Sequence, residues 1–351
     1  MDREPATELF YIAQQFTGKM REALLESYKV FLEEYPEERI LQELKRNGIQ
    51  GLLELAEQAG GEIADRTVPV LSDAWRESGR ATISLLPAGA TTAGAIVFDS
   101  LPVGAVSAAE AHRARYVAEA SEQAREAVVQ AVTANIVSGN SPRTTARLFR
   151  SSIGLTAWQE KAVDNYRHAL ESLDSYALER ELRDKRFDRT VARHIEEGTP
   201  MSSDYVDRLV ERYRQRTLKW RSEMIARVES MRAINMGEYD ALLAAYKAGK
   251  LSVSVKRFWV TASDERVRAA HVKIPLMNKD GRRIDEPFDT PLGPLMYPLD
   301  PNGLPANVIN CRCRVTYRVV SGNVPRGLNI PTEVTPPPDI SYTPMPSPWK
   351  I

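Results

Sequence analysis

Near Val253 the spacing of apolar residues changes from helical to alternating, and a single layer of structure cannot serve both halves of such a chain. Upstream, Val206, Leu209, Tyr213, Trp220, Met224, Val228 and Met231 fall on one side of a helix predicted from Ser202 or Ser203 to about Met236. At 1.5 Å per residue it would be on the order of 50 Å long. Downstream, Val255, Arg257 and Trp259 alternate with Lys256, Phe258 and Val260, Asp280 with Gly281 forms a turn, and Val308 to Val320 reads as a strand. Cys311, Cys313, Val315, Tyr317 and Val319 would share one face of that strand, and Arg312, Arg314, Thr316 and Arg318 the other.

The first half is helical by the same test. Leu25, Tyr28, Phe31 and Leu32 keep helical spacing, and Pro36 is expected to separate two helices within residues 5–58. A small-residue stretch from Ile83 to Phe98, broken by Pro87, Gly89 and Gly94, reads as a connector. Ser107 with Glu110 makes a capping box for a helix through Val128, Val129, Val132 and Ile136 that stops at Gly139. Pro142 follows Ser141 at a natural first helical position. Thr156 with Gln159 makes a second box after Gly154, opening a helix with the buried stripe Trp158, Ala162, Tyr166, Ala169 and Leu173. The expected fold is mainly α, an elongated body of long antiparallel helices joined to a compact α+β domain with a few antiparallel strands. The expected boundaries are an acidic helical region at 1–82, the connector at 83–106, a helical body with the basic long helix at 107–252, the α+β domain at 253–320 and a proline-rich arm at 321–351.

Charge is unevenly spread although Lys plus Arg and Asp plus Glu both number 47. Residues 1–70 carry 8 basic and 14 acidic side chains, a balance of −6, whereas residues 141–260 sum to about +6. The densest run, from Tyr205 to Arg221, places Arg212, Arg214, Arg216, Lys219 and Arg221 on the long helix. These five are either a solvated face with intrahelical pairs such as Glu211 and Gln215, or a stripe facing nucleic-acid phosphate. No apolar stretch is long enough to span a bilayer, so no membrane partner is expected. The opening MDREPATELF lacks the basic-then-apolar order of a secretory signal, and two cysteines cannot build a disulfide framework; both fit a chain made in a reducing cytoplasm. The tail from Pro325 to Ile351 favours extended polyproline geometry, either as a frayed end or as an arm docking on a neighbouring subunit through Tyr342 and Trp349.

The two cysteines stand two apart and about forty residues beyond His271. His271, Cys311 and Cys313, with Asp264 from a loop, could supply a tetrahedral zinc site. The alternatives are a packed cluster in which Cys acts as a small hydrophobe and His271 bonds Asp264, a Cys311–Cys313 disulfide, or a Cys and His catalytic pair.

An ordered series of motifs narrows the field. Arg227, Glu229, Arg232 and Asn235 lie on the long helix; Trp259, Asp264, Arg266, Arg268 and His271 follow; then Phe288 and Asp289; Tyr297, Pro298, Asp300 and Pro301; and finally Asn310, Cys311, Arg312 and Cys313. With Phe98, Asp99, Pro102, the segment from Gly139 to Arg167 and the RFDRTV stretch at 186–191, this order resembles the phage Mu F family of minor head proteins over roughly residues 95–320. The chain departs from the family pattern after the histidine, where the usual early glycine is postponed to Gly281. The resemblance implies a structural, non-enzymatic virion protein of a tailed bacteriophage, inside the capsid near the portal vertex, acting in head morphogenesis and in genome packaging or delivery. It implies portal protein as partner, with the major capsid protein and packaged double-stranded DNA as further candidates. The competing readings are a DNA-binding virion protein without a portal role and a Cys/His hydrolase or nuclease carried in the head.

Overall fold

The computed structural model describes residues 5–86, 90, 91, 118, 122, 125, 127–129, 131, 132, 141–251 and 253–322. The capping box at Ser107, the stop at Gly139, most of the connector and the arm with Tyr342 and Trp349 lie outside those residues. The fold is mainly helical, with long helices followed by a C-terminal region holding a two-stranded antiparallel sheet. Pro36 separates α1 (Pro5–Glu34) from α2 (Glu37–Ser84), whose first turn carries Glu37 and Glu38 where the helix dipole favours acid. Gly48, at φ 61° and ψ −145°, kinks α2 internally.

The chain divides into two compact units. One is built from Ala23–Arg66 and Tyr116–Glu223, and holds α3 (Pro142–Ser152), α4 (Ala157–Glu171), α5 (Asp188–Glu197) and the first part of α6 (Ser203–Lys247). Both predicted caps form: Ser141 accepts from the Thr144 amide, and Thr156 and Gln159 exchange bonds of 3.3 and 3.0 Å. The core joins Val163, Tyr166 and Leu170 to Val206, Leu209 and Tyr213, with the Tyr166 and Tyr213 rings stacked at 4.5 Å. Trp158 corrects the predicted stripe, because it is 48% exposed. Gln159 must face the N-cap to close the box, which turns its neighbour outward and gives the buried side to Ala162, Val163, Tyr166, Ala169 and Leu170. Leu173, at φ 56°, lies beyond the helix end instead of extending its stripe.

The other unit draws on Met1–Glu22, Thr67–Arg115 and Met224–Ile340, and so holds the remainder of α6, β1 (Val253–Val260), the short helices α7 (Ala269–Val272), α8 (Ile274–Met277) and α9 (Pro305–Val308), and β2 (Arg314–Gly322). α6 does not stop near Met236. Gly237 is a packing contact there: a Cβ would stand 2.2 Å from Ser78 Oγ and 2.3 Å from the Trp75 carbonyl. The real stop is Gly249 at φ 63°, where Lys250 N–H bonds back to Ala245.

β1 and β2 pair antiparallel from Val253 opposite Gly322 to Val260 opposite Arg314, with a bulge between Ser254 and Val255. The second strand starts later than predicted, because Pro305 opens the helical turn that takes up Val308. Cys311 and Cys313 precede the strand, yet the alternation holds: Cys311, Cys313 and Val315 are buried while Arg318 is exposed. On β1 the inward residues are Val255, Trp259 and, between them, Arg257 at 1% exposure. Its guanidinium donates to the carbonyls of Arg283 (3.0 Å), Met296 (2.5 Å) and Glu286, and lies about 5 Å from the Tyr239 and Phe288 rings.

Candidate functional site

His271 reaches the core on α7, and the segment after α9 brings both cysteines to it. His271 Nδ1 stands 3.5 Å from Cys311 Sγ and 3.5 Å from Cys313 Sγ. Its other nitrogen, Nε2, stands 3.0 Å from Asn307 Oδ1. The walls are apolar: Trp259 meets the imidazole edge-on at 6.2 Å and Phe288 at 5.3 Å, with Ile274, Leu295, Leu299, Val308 and Val315 behind them. Exposure is 2% for His271, 6% for Cys311 and 2% for Cys313, and both thiols are free.

The bond to Cys313 brings the Cys311 thiol down to about 5, with His271 assisting against the opposing effect of burial. Cys313 is carried upward, first by that same bond and then by burial. Burial is the largest influence on His271 and acts downward; the contacts with Cys311 and Asn307 outweigh it, and the balance lies above the ordinary value. The cluster therefore offers one thiolate, one harder-to-ionise thiol and one imidazole nitrogen. Such a set can share a proton internally or hold a thiophilic metal.

Asp264 is not part of it. Its carboxylate accepts two bonds of 2.5 Å from Arg312 and lies 3.6 Å from Arg266, so the predicted fourth ligand and the predicted Asp264–His271 bond are both replaced. The Arg312 guanidinium beside Asp264 holds its carboxyl below the usual range. Asn307 takes the place expected of Asp264 at the histidine, and nothing in its sequence surroundings marked it out.

The remaining motif residues form a scaffold under the cluster. Glu229 and Arg232 pair at 2.7 Å on α6, Arg232 Nε donates to the Leu299 carbonyl at 3.1 Å, and Asn235 donates to the Pro298 carbonyl at 2.9 Å. Asp300, 3% exposed, accepts from the amides of Met296 and Asn302 at 2.9 Å each. Arg268 donates to the Ile309 carbonyl, and Asn310, at φ 57°, turns the chain into Cys311. Arg232, Asn235, Asp300 and Arg268 thus bond backbone groups of the Met296–Asn302 and Ile309 loops.

The five basic residues of α6 do not make one free stripe. Arg214 donates to Glu160 at 2.5 Å and to the Ser151 carbonyl at 2.9 Å, and Arg221, 7% exposed, donates to Gln159 at 3.4 Å. Arg212 and Arg216 share the Asp184 carboxylate at 3.3 and 3.5 Å, and Arg212 also covers the Phe187 ring. Gln215 bonds Glu211 at 3.0 Å, as the solvated-face reading required, and Lys219 is exposed.

No curated protein and no solved structure matches the chain. Residues 185–316 match the model of the family described as Phage Mu protein F like protein. That interval contains α5, all of α6, the scaffold and the whole His271, Cys311 and Cys313 cluster. The match bears out the Mu F-like family assignment for residues 185–316 of this chain.

Proposed function

We propose that this chain is a structural head-morphogenesis protein of a tailed bacteriophage, working at the portal vertex and assisting genome packaging or delivery. The Mu F-like match over residues 185–316 carries the reading at the level of a phage head protein. The site geometry supports a structural role within it. The motif side chains brace loops, and the cysteine and histidine side chains that approach each other, Cys311 and Cys313 with His271, are at most 6% exposed. A hydrolase needs its nucleophile at a surface that substrate can reach. Among the described residues no helix is long and apolar enough to cross a membrane.

The test is co-purification. Full-length protein expressed with its cognate portal should elute with portal rings through size exclusion, and clean separation of the two would refute the portal assignment. A parallel pull-down on major capsid protein and on duplex DNA separates portal binding from the competing readings.

A further inference from the structure

We propose that His271 Nδ1, Cys311 Sγ and Cys313 Sγ form a zinc site that staples α7 to the segment entering β2. The separations are the first observation. With metal–sulfur bonds near 2.3 Å and metal–nitrogen bonds near 2.05 Å, a tetrahedral centre has a nitrogen-to-sulfur edge of about 3.6 Å. Both edges from His271 Nδ1 measure 3.5 Å, and all three donor atoms lie within 4.8 Å of one another.

The orientation of the imidazole is the second. Thr290 Oγ1 donates to the Gly293 carbonyl at 2.5 Å, which leaves that oxygen to accept from Asn307 Nδ2 at 2.9 Å. The Asn307 amide is thereby turned so that its Oδ1 faces His271 Nε2. Nε2 must then carry the proton, and the Nδ1 lone pair points at the two sulfurs. A histidine held by its second nitrogen in this way is the usual arrangement around a metal-bound imidazole.

N–H donors around the sulfurs are the third. Arg268 Nη1 is buried without a hydrogen-bond partner among the described residues, and the Trp259 indole N–H is turned to the Cys313 thiol. Metal thiolates accept such N–H donors more readily than neutral thiols do. Two thiolates and one neutral imidazole in a tetrahedral set select zinc over the harder magnesium and calcium. No fourth His, Cys, Asp or Glu joins the group among the described residues, so the fourth vertex falls to another donor. The proposal does not rest on the portal reading, and it fails or stands separately from it.

Full-length protein purified without chelator should contain about one zinc per chain by elemental analysis. Exchange for cobalt should give the sulfur-to-metal charge-transfer absorption and the intense visible bands of a tetrahedral thiolate site. Asn307→Leu should weaken zinc binding by about 10- to 100-fold, the range seen when the partner of a metal-bound histidine is removed, while Asn307→Asp, which keeps an acceptor, restores much of it. Since cysteine variants risk misfolding, the wild-type thiols supply a second measurement: their reaction with a disulfide reagent should be slow with zinc and faster after chelation. Folded wild-type protein that takes up neither zinc nor cobalt, or whose thiols react equally fast in both conditions, would overturn the site. So would a cobalt spectrum that survives Cys311→Ala with Cys313→Ala.

Discussion

Glu238 sits on α6 at 4% exposure, with one long hydrogen bond, accepted from the Tyr317 hydroxyl at 3.4 Å. Burial raises its carboxyl to about 8, against the smaller opposing effects of Tyr317 and Arg314. The folded protein therefore keeps a proton that the unfolded chain has released once the pH passes about 4.5. Stability should fall as pH rises from there to about 8, by at most about 5 kcal/mol at roughly 1.4 kcal/mol per unit. Glu238→Gln keeps the shape without the titration. Its denaturant midpoint should stay level across that window while the wild type declines, and parallel declines would assign the effect to another group. Arg257 is the complementary case, a buried cation whose hydrogen bonds run to three carbonyls. Arg257→Met should cost about 2–4 kcal/mol in denaturant titrations, because it leaves those acceptors unpaired, and Lys should rescue little since it lacks the planar fork. Neither position was legible beforehand. Alternation grouped Arg257 with Val255 and Trp259 without saying which face was inner, and spacing carries no information about carbonyls that converge from distant loops. The same limit explains the site: His271, Cys311 and Cys313 were readable by residue type, whereas Asp264 turned to Arg312 and Asn307 took the place beside His271.

Among elements, α6 shows how spacing can mislead. The apolar spacing ended this helix near Met236, yet it runs on through Gly237, which admits no Cβ because Ser78 Oγ and the Trp75 carbonyl would lie 2.2 and 2.3 Å away. Beside it, Trp75 Nε1 donates to Asp240 Oδ2 at 2.9 Å, fixing the same crossing. Gly237→Ala should lose about 1–3 kcal/mol by thermal or denaturant melting, since one of the clashing atoms is backbone and cannot rotate away. Gly61, also helical, has nothing within 4 Å of its Cβ position, so Gly61→Ala should gain about 0.5–1 kcal/mol. Equal effects of the two substitutions would rule out the packing explanation. Local signals fared better where the physics is local. The Ser141 and Thr156 caps formed because their partners lie within three residues, and the period-two register survived although the strand began later than its apolar pattern suggested. What failed were the ends and faces set by tertiary contact, as at Trp158 and Gly237.

At the scale of the whole molecule, the acidic front and basic middle of the sequence looked like two separate surfaces. Part of that asymmetry cancels internally, since Glu37 pairs with Arg143 at 2.9 Å and with Arg147 at 3.1 Å. On α6, Arg214 is committed to Glu160 and Ser151, and Arg221 lies buried against Gln159. Charge counts are legible from sequence, but the pairing that consumes charge depends on which helices meet. Salt titration on duplex DNA distinguishes a phosphate stripe from this internal wiring. Each lysine or arginine that neutralises a phosphate steepens the log–log dependence of affinity on salt by about 0.9. If all five α6 cations faced DNA, alanine at any one of them would remove that increment. The structure predicts instead that Arg214→Ala and Arg221→Ala leave the slope unchanged while lowering the melting temperature. Arg214→Ala strips the pair from Glu160, whose carboxyl burial already pushes upward, and Arg221→Ala empties a buried position. Lys219→Ala, at an exposed site, should do the reverse if DNA is bound through this helix: no loss of stability and a shallower slope. A reduced slope with intact melting in Arg214→Ala would return the arginine to the DNA-facing surface and overturn the wiring.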